Sequence, residues 1–205
     1  MPDTGPAPVA APLPSWSGGG TLILVVGPSG AGKDTLIDAA RSHFSGDGTI
    51  QFGRRCITRH DQIGEEHAAL SQAEFARREG EGGFFLSWRA HGLDYGIGSD
   101  VREALMAGNH MVLNVSRRVI GEARRKWQRT HVIQITARPE VLRSRLLARG
   151  RETASDSSER LERAGEIGLT EADWLSELDN SDDLASAVAR FVRLVSGATA
   201  GPPAP

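Results

Sequence analysis

The sequence predicts an α/β fold in which helices cover both faces of a parallel sheet, giving three layers. Three observations predict it. Short continuous apolar runs have the pattern of strands that are buried on both faces. Stretches with the apolar period of a helix alternate with these runs along the chain. A glycine-rich turn joins the first strand directly to the first helix.

Composition bounds the size of the domain and its partners. The 205 residues, 39% of them hydrophobic, suit one globular domain at 21–195. Residues 1–20 and 196–205 are rich in Pro and Ala without apolar periodicity, which predicts disordered tails. A net charge of −2 gives no basic field for nucleic acid, and no apolar run is long enough to span a membrane. With no secretory signal pattern and with Cys56 as the single cysteine, we expect a cytoplasmic protein without a disulfide or a cysteine metal cluster.

In the first half of the domain, strands and helices are predicted in turn. Leu36, Ile37 and Ala40 recur at helical spacing after the glycine-rich turn. Ser71, with Glu74 three residues later, is a capping-box pattern for the start of a helix. The predicted elements are strands at 21–26, 50–57, 84–88 and near Tyr95, and helices at 34–44, 71–80 and 101–107.

The second half continues the alternation. Ser116 is placed to cap a helix, and Pro139 suits the first turn of another. The predicted elements are strands at 110–115 and 131–136, and helices at 117–129, 139–149, 157–167 and 184–195.

The segment GPSGAGKD, which begins at Gly27, predicts a phosphate-binding loop. It matches G-x-x-x-x-G-K between a buried strand and a helix, which is the context that this pattern requires. Its glycines let the backbone curl so that N–H groups form an anion nest at the helix N-terminus. We therefore predict that ATP binds to Gly27, Pro28, Ser29, Gly30, Ala31, Gly32, Lys33, Asp34 and Thr35.

Lys33 is the leading catalytic candidate. Of the 24 Lys and Arg residues only Lys33 and Lys126 are lysines. The high proportion of arginine is typical of codon bias in a GC-rich genome. A compact ammonium suits the β- and γ-phosphates in a tight loop, whereas a planar guanidinium does not. An exposed lysine in an ordinary turn is the alternative, which the flanking strand and helix disfavour.

The sequence leaves two candidates for the metal ligand. The loop pattern usually continues with Ser or Thr, whose hydroxyl binds Mg²⁺. Here Asp34 follows the lysine and Thr35 comes next. We expect Mg²⁺ as the cofactor, held near Asp34 or Thr35.

Five segments in order resemble the guanylate-kinase-like P-loop kinases over about residues 22–195. They are GPSGAGKDTL, ITR at 57–59, GE at 64–65, FFLSWRAHGLDYGIG at 84–98 and RPEVLRSRLLARGRE at 138–152. The resemblance implies a P-loop NTPase fold with a lid. It also implies that Arg145 binds ATP and that Arg149 and Arg160 act in catalysis on lid closure; a solvated mixed-charge helix is the alternative.

The departures from guanylate kinase are also informative. Ser87 stands where that family has the glutamate that reads guanine, and Asn114 where it has an aspartate. Gln62 replaces a phosphate-binding arginine, and a tyrosine expected near Glu66 is missing. Without acidic readers, the donors of guanine lack partners, which discriminates against GMP.

Ser87–Trp88, Ala90, Gly92–Leu93, Tyr95–Gly96 and Lys33–Asp34 are instead similar to the ribose 1,5-bisphosphate phosphokinases. This resemblance implies ATP-dependent conversion of ribose 1,5-bisphosphate to 5-phosphoribosyl 1-diphosphate (PRPP) in phosphonate catabolism. Arg59 offers a bidentate fork for the acceptor phosphate. The predicted acceptor-binding residues are Arg59, Ser87, His91, Tyr95 and Asn114, and weaker candidates for the second phosphate are Arg54, Arg55 and Arg117.

Two other functions stay open. One is a kinase of the same fold that acts on another nucleoside monophosphate or a small phosphorylated acceptor. The other is a non-catalytic module that recognises a protein partner; such modules often lose the loop lysine, so Lys33 argues against it. The sequence leaves the oligomeric state undecided.

Overall fold

A five-stranded parallel sheet forms the centre of the computed structural model, which describes residues 19–59, 67–90, 92–148 and 174–200. Its strands are β1 (Leu22–Val26), β2 (Ile50–Phe52), β7 (His110–Asn114), β8 (Thr130–Thr136) and β9 (Leu175–Asp179). Their order across the sheet is β2-β7-β1-β8-β9, and every neighbouring pair is parallel. The carboxyl ends of these strands therefore meet at one edge, where ligands of such folds bind.

Helices cover both faces of this sheet, as its apolar strands predict. The side chains of β1 alternate: Leu22 and Leu24 pack in one core cluster, whereas Ile23 and Val25 pack in the other. The first cluster includes residues of α3 (Asp100–Met106) and α4 (Ile120–Lys126). The second includes residues of α1 (Lys33–His43), α5 (Pro139–Ala148) and α6 (Leu184–Thr199). The predicted three-layer α/β/α fold is confirmed.

A smaller sheet stands beside the carboxyl edge. It consists of β3 (Arg55–Ile57), β4 (His67–Ala69), β5 (Phe84–Ala90) and β6 (Leu93–Gly98), in the order β4-β3-β6-β5. Strands β3 and β4 are parallel and the other pairs are antiparallel. Helix α2 (Gln72–Gly80) begins where predicted, because the Ser71 hydroxyl accepts a hydrogen bond from the Glu74 N–H at 3.1 Å.

The predicted single strand at 50–57 is wrong, because the chain leaves one sheet and enters the other within it. Strand β2 pairs with β7, and β3 pairs with β6. Gly53 lies at the break: a Cβ there would come 2.2 Å from Cδ2 of Leu113. The chain therefore crosses between the sheets at a glycine that packs closely against the buried side chain of Leu113.

The predicted helix at 117–129 is shorter than expected. A 3₁₀ turn at Arg117–Val119 leads into α4, and the Ser116 hydroxyl accepts from the Arg118 N–H at 3.3 Å. The helix stops before Trp127, whose backbone is extended and whose indole N–H donates to the Gly20 carbonyl at 2.9 Å. The buried contact of the Trp127 indole thus ends the helix before residue 129, where the sequence pattern predicts its end.

The folded part of the chain extends beyond the predicted limits at residues 21 and 195. The Gly20 N–H donates to the Leu105 carbonyl at 2.8 Å, so residue 20 is bound to the fold. Helix α6 continues to Thr199, past the predicted end at 195. Strands β4 and β9 were not predicted, and the predicted helix at 157–167 lies outside the described residues. No helix in the described part of the chain has the length and apolar character needed to cross a membrane.

Candidate active site

The loop between β1 and α1 has the backbone that its glycines predict. Gly27, Gly30 and Gly32 have φ angles of +146°, +83° and +86°, which side chains with a Cβ rarely adopt. Gly32 is the N-cap of α1 in the left-handed region. The loop therefore curls directly into a helix N-terminus, where backbone N–H groups favour an anion.

Close packing behind the loop explains why glycine is needed there. A Cβ on Gly27 would lie 2.2 Å from the carbonyl oxygen of Ile135 on β8. A Cβ on Gly32 would lie 2.4 Å from Nδ2 of Asn180, and one on Gly30 would lie 3.3 Å from the carbonyl oxygen of Leu142. The loop therefore packs against the sheet and α5 through residues that are far from it in the sequence, so the loop segment alone does not predict these contacts.

The Lys33 side chain folds back over this loop. Its Nζ donates to the carbonyl oxygens of Gly27 and Pro28, both at 2.9 Å. The positive charge is therefore held beside the loop where a phosphate would sit, as the sequence predicts for a phosphate-binding lysine.

Asp34, the residue after the lysine, contacts the end of strand β7. Its Oδ1 accepts a hydrogen bond from Nδ2 of Asn114 at 2.6 Å and lies 3.7 Å from Nη2 of Arg55. The Oδ1 atom of Asn114 is buried and has no hydrogen-bond partner. Carboxylate oxygens are hard ligands of the kind that Mg²⁺ binds, so Asp34, which lines the cleft, fits such an ion, and the Asn114 amide holds this carboxylate in place.

A cleft of about 220 Å³ opens between the phosphate loop and the smaller sheet. Three groups of described residues line it. The first, from the loop and the start of α1, is Gly27, Ser29, Gly30, Gly32, Lys33 and Asp34. The second, called the sheet wall here, is Arg55, Ile57, Arg59, Trp88, Ala90 and Tyr95. The third, at the end of β7, is Asn114, Val115 and Ser116.

The sheet wall combines cations with aromatic surface. Tyr95 of β6 lies opposite Trp88 of β5, and their rings stack with centroids 5.4 Å apart and planes within 5°. Arg55 and Arg59 line the same cleft. The structure thus brings the predicted residues Arg59, Tyr95 and Asn114 into one cleft with the loop.

Two predicted residues lie elsewhere. The Ser87 hydroxyl donates to Oε1 of Glu79 on α2 at 2.7 Å, and Ser87 is not among the cleft residues. Successive side chains of a strand point to opposite faces, so Trp88 faces the cleft and Ser87 faces α2. Thr35 is exposed and does not line the cleft, which leaves Asp34 as the predicted metal residue that does.

Arg145 lies behind the loop rather than in the cleft. Its Nη1 would be 3.8 Å from a Cβ on Gly32, and this atom is buried without a hydrogen-bond partner. The other predicted residues, His91, Arg149 and Arg160, lie outside the described part of the chain.

Sequence reasoning missed Asn180 and gave no role to Trp88. Asn180 follows β9 and is 2% exposed; its Nδ2 donates to the Ala31 carbonyl in the phosphate loop at 2.8 Å. Its backbone N–H donates to the Thr136 carbonyl at 2.8 Å, which joins it to β8. The run of polar residues DNSDD is a turn signal, but it does not reveal which loop the turn would meet.

Three groups with shifted pKa values do not line the cleft. Burial raises the pKa of the Cys56 thiol. Burial lowers the pKa of His110 and of His131, which favours neutral rings. The Nδ1 of His110 accepts from the Thr21 N–H at 2.9 Å, so this ring caps the start of β1. These groups belong to the packing of the sheets.

Comparisons with known proteins agree with this geometry. Models of protein families give no match to the sequence. The chain is 43% identical over 175 residues to ribose 1,5-bisphosphate phosphokinase PhnN of Brucella melitensis, covering 84% of this chain and 90% of that protein. It is 44% identical over 179 residues to the protein of the same name from Rhizobium etli, covering 87% and 90%. Among solved structures, guanylate kinase from Anaplasma phagocytophilum matches with a TM-score of 0.62 at 16% identity, covering 90% of this chain and 88% of that one, which shows the shared fold.

Proposed function

The chain belongs to the ribose 1,5-bisphosphate phosphokinase family, and on this basis we propose that it transfers the γ-phosphoryl group of ATP to ribose 1,5-bisphosphate. The acceptor is the C1 phosphate, and the product is 5-phosphoribosyl 1-diphosphate. As the family resemblance implies, we place the reaction in phosphonate catabolism in the cytoplasm. The relatives lend no support to the alternative of another nucleoside monophosphate as acceptor.

The observation that carries this proposal is the chemistry of the sheet wall. It presents Arg55 and Arg59 beside Tyr95, and none of its described residues is acidic. Ser87, at the position where guanylate kinases read guanine, bonds to Glu79 instead. A wall of this kind favours a phosphorylated acceptor without a base, because guanine donors would find no carboxylate there.

The proposed reaction needs positioning and charge neutralisation rather than a base. An ionised oxygen of the acceptor phosphate attacks the γ-phosphorus, and the bond from that phosphorus to the β,γ-bridging oxygen breaks. The bridging oxygen leaves on ADP with the electron pair, and no proton has to be removed. Lys33 and the loop N–H groups would hold the β- and γ-phosphates, while Arg59 would hold the acceptor phosphate.

Asp34 is the described residue that would hold Mg²⁺, which neutralises charge on the β- and γ-phosphates when bound, and Asn114 would position its carboxylate. Arg149 and Arg160 stay predictions of lid residues that would close over the nucleotide. Closure of such a segment excludes water, which otherwise hydrolyses ATP.

An acceptor panel tests the proposal directly. ADP release would be measured with ATP and Mg²⁺ against ribose 1,5-bisphosphate, GMP, AMP and ribose 5-phosphate, with the diphosphate product identified by mass. We expect kcat/KM for ribose 1,5-bisphosphate to exceed that for GMP by at least about 10²-fold, since each guanine donor buried without a partner costs about 1–3 kcal/mol. Robust turnover with GMP and none with ribose 1,5-bisphosphate would contradict the assignment.

Arg59→Ala is expected to weaken acceptor binding and leave nucleotide binding largely unchanged. Removing one charge-assisted contact of about 1.5–3 kcal/mol predicts a rise of roughly 10- to 100-fold in the KM for the acceptor. Steady-state kinetics with each substrate varied in turn would check this. Arg118→Ala, at an exposed arginine outside the cleft, is the matched control. A raised KM for ATP with an unchanged KM for the acceptor would place Arg59 on the other substrate.

A further inference from the structure

The proposed acceptor carries two phosphates, and the phosphate that reacts accounts for only part of the charge that the cleft has to bind. Among the described residues that line the cleft, the cations are Lys33, Arg55 and Arg59. Lys33 stands beside the phosphate loop and belongs to the donor, and Arg59 is assigned to the C1 phosphate. Arg55 is therefore the described cation of the cleft to which the proposed reaction assigns no group.

Arg55 and Arg59 lie on one face of one extended segment. Arg55, Ile57 and Arg59 all line the cleft, and Arg55 and Ile57 are the first and last residues of β3. Every second side chain of an extended segment points to the same face, and four residues at about 3.3 Å each separate the two arginine Cα atoms by roughly 13 Å. The cleft thus presents a cation, an apolar side chain and a second cation in a row, which complements a sugar with a phosphate at each end.

The contacts of Arg55 place its guanidinium beside the large sheet. Its Nη2 lies 3.7 Å from Oδ1 of Asp34, and the same oxygen accepts from Nδ2 of Asn114 at the end of β7. The Arg55 side chain is 14% exposed, so little solvent screens its charge. A guanidinium has five N–H donors, so contact with one carboxylate oxygen is compatible with a bidentate contact to a phosphate.

The other two arginines that the sequence offers for the second phosphate lie outside the cleft. Arg54 is exposed, and its Nη2 donates to the His67 carbonyl at 3.0 Å. Neither Arg54 nor Arg117 is among the described residues that line the cleft. The fold therefore distinguishes Arg55 from two residues that the sequence left equivalent to it.

We infer that Arg55 binds the C5 phosphate of the acceptor and so selects a sugar bisphosphate over a sugar monophosphate. This inference rests on the proposed function, because only a bisphosphate acceptor offers a second phosphate. The C1 phosphate lies on Arg59 and the C5 phosphate on Arg55, with the sugar between them. If Arg55 only holds Asp34, or acts on the phosphates that react, then its loss affects every acceptor alike.

Two monophosphates separate the roles of the two arginines. Ribose 5-phosphate carries only the C5 phosphate, and ribose 1-phosphate carries only the C1 phosphate. Each would be titrated as an inhibitor of the conversion of ribose 1,5-bisphosphate, with ATP and Mg²⁺ saturating and the diphosphate product measured by mass. Arg55→Met removes the charge and keeps the apolar stem of the side chain, and Arg59→Met is the reciprocal variant. Arg54→Ala is the control at the neighbouring arginine.

We expect Arg55→Met to raise the inhibition constant of ribose 5-phosphate by about 10- to 100-fold, because one charge-assisted contact is lost. The inhibition constant of ribose 1-phosphate should change by no more than about threefold, since that molecule lacks the phosphate concerned. Arg59→Met should give the opposite pattern, and Arg54→Ala should change neither constant by more than about twofold. Thermal unfolding of each variant separates lost binding from lost folding, and Arg55→Gln replaces Arg55→Met if that variant does not fold.

An unchanged inhibition constant of ribose 5-phosphate in a folded Arg55→Met protein would overturn the inference, and so would an equal loss of affinity for both monophosphates. A loss confined to Arg54→Ala would also overturn it, because the C5 phosphate would then lie on that neighbour. The proposed function fails by a different result, namely no turnover of ribose 1,5-bisphosphate by the wild-type protein. The two failures are therefore distinguishable.

Discussion

Lys33→Ala is expected to lower kcat by at least about 10³-fold with both substrates saturating. A cation positioned on transferring phosphate groups contributes on that scale, because its charge acts where negative charge is transferred. The loss of the hydrogen bonds to the Gly27 and Pro28 carbonyls should cost only about 1 kcal/mol each in stability. Fixed-time assays of ADP formation would measure the change in kcat, and thermal unfolding followed by circular dichroism would measure the change in stability.

Two variants make this result specific. Lys33→Arg keeps the charge and should also fail, since a planar guanidinium does not replace a compact ammonium in the loop. Lys126→Ala removes the other lysine, which bonds to the Phe85 carbonyl at 2.7 Å outside the cleft, and should keep kcat within about twofold. A Lys33→Ala protein with near-normal kcat would remove this residue from the mechanism.

Gly27→Ala is expected to lower the free energy of unfolding by at least about 3 kcal/mol, at the upper end of what point substitutions do. The new Cβ would lie 2.2 Å from the backbone carbonyl oxygen of Ile135, which a strand cannot move aside. The φ of +146° adds strain for any residue with a Cβ. Urea unfolding gives the change in free energy, and calorimetry gives the accompanying loss of ATP affinity.

Gly46→Ala is the matched control for this substitution. A Cβ there meets no atom within 4 Å, so stability should change by no more than about 0.5 kcal/mol. If Gly27→Ala unfolded at the wild-type urea concentration and bound ATP normally, the close approach of the loop to β8 would have no energetic consequence, and the argument from packing would be wrong.

Much of the fold is readable from the sequence because its signals are local. The run at β1 is apolar on every residue, and a strand that must face helices on both sides is the arrangement that buries all of them. Ser71 caps α2 through a contact only three residues away. By contrast, β9 mixes charged and apolar residues, and its pairing with β8 across an intervening segment supplies the strand geometry that its own pattern does not.

The same division holds at the site. The phosphate-binding loop could be predicted from the spacing of Gly27, Gly30, Gly32 and Lys33. The backbone nest and the lysine both belong to one short segment of the chain. Ser87 was expected in the cleft because it matches a position in a family, but the alternation of β5 turns it toward Glu79 and turns Trp88 inward. A motif match identifies a position along a strand and does not identify the face.

By itself, the sequence determined the three-layer class, the phosphate loop and the lysine that belongs to it, since each depends on residues close together in the chain. Only the tertiary structure decided which distant side chains complete the site. Asn114 reaches Asp34 from β7, and Asn180 reaches the Ala31 carbonyl from beyond β9. Such contacts arise where the carboxyl ends of parallel strands converge, and that convergence depends on the order of strands in the sheet, which no local pattern specifies.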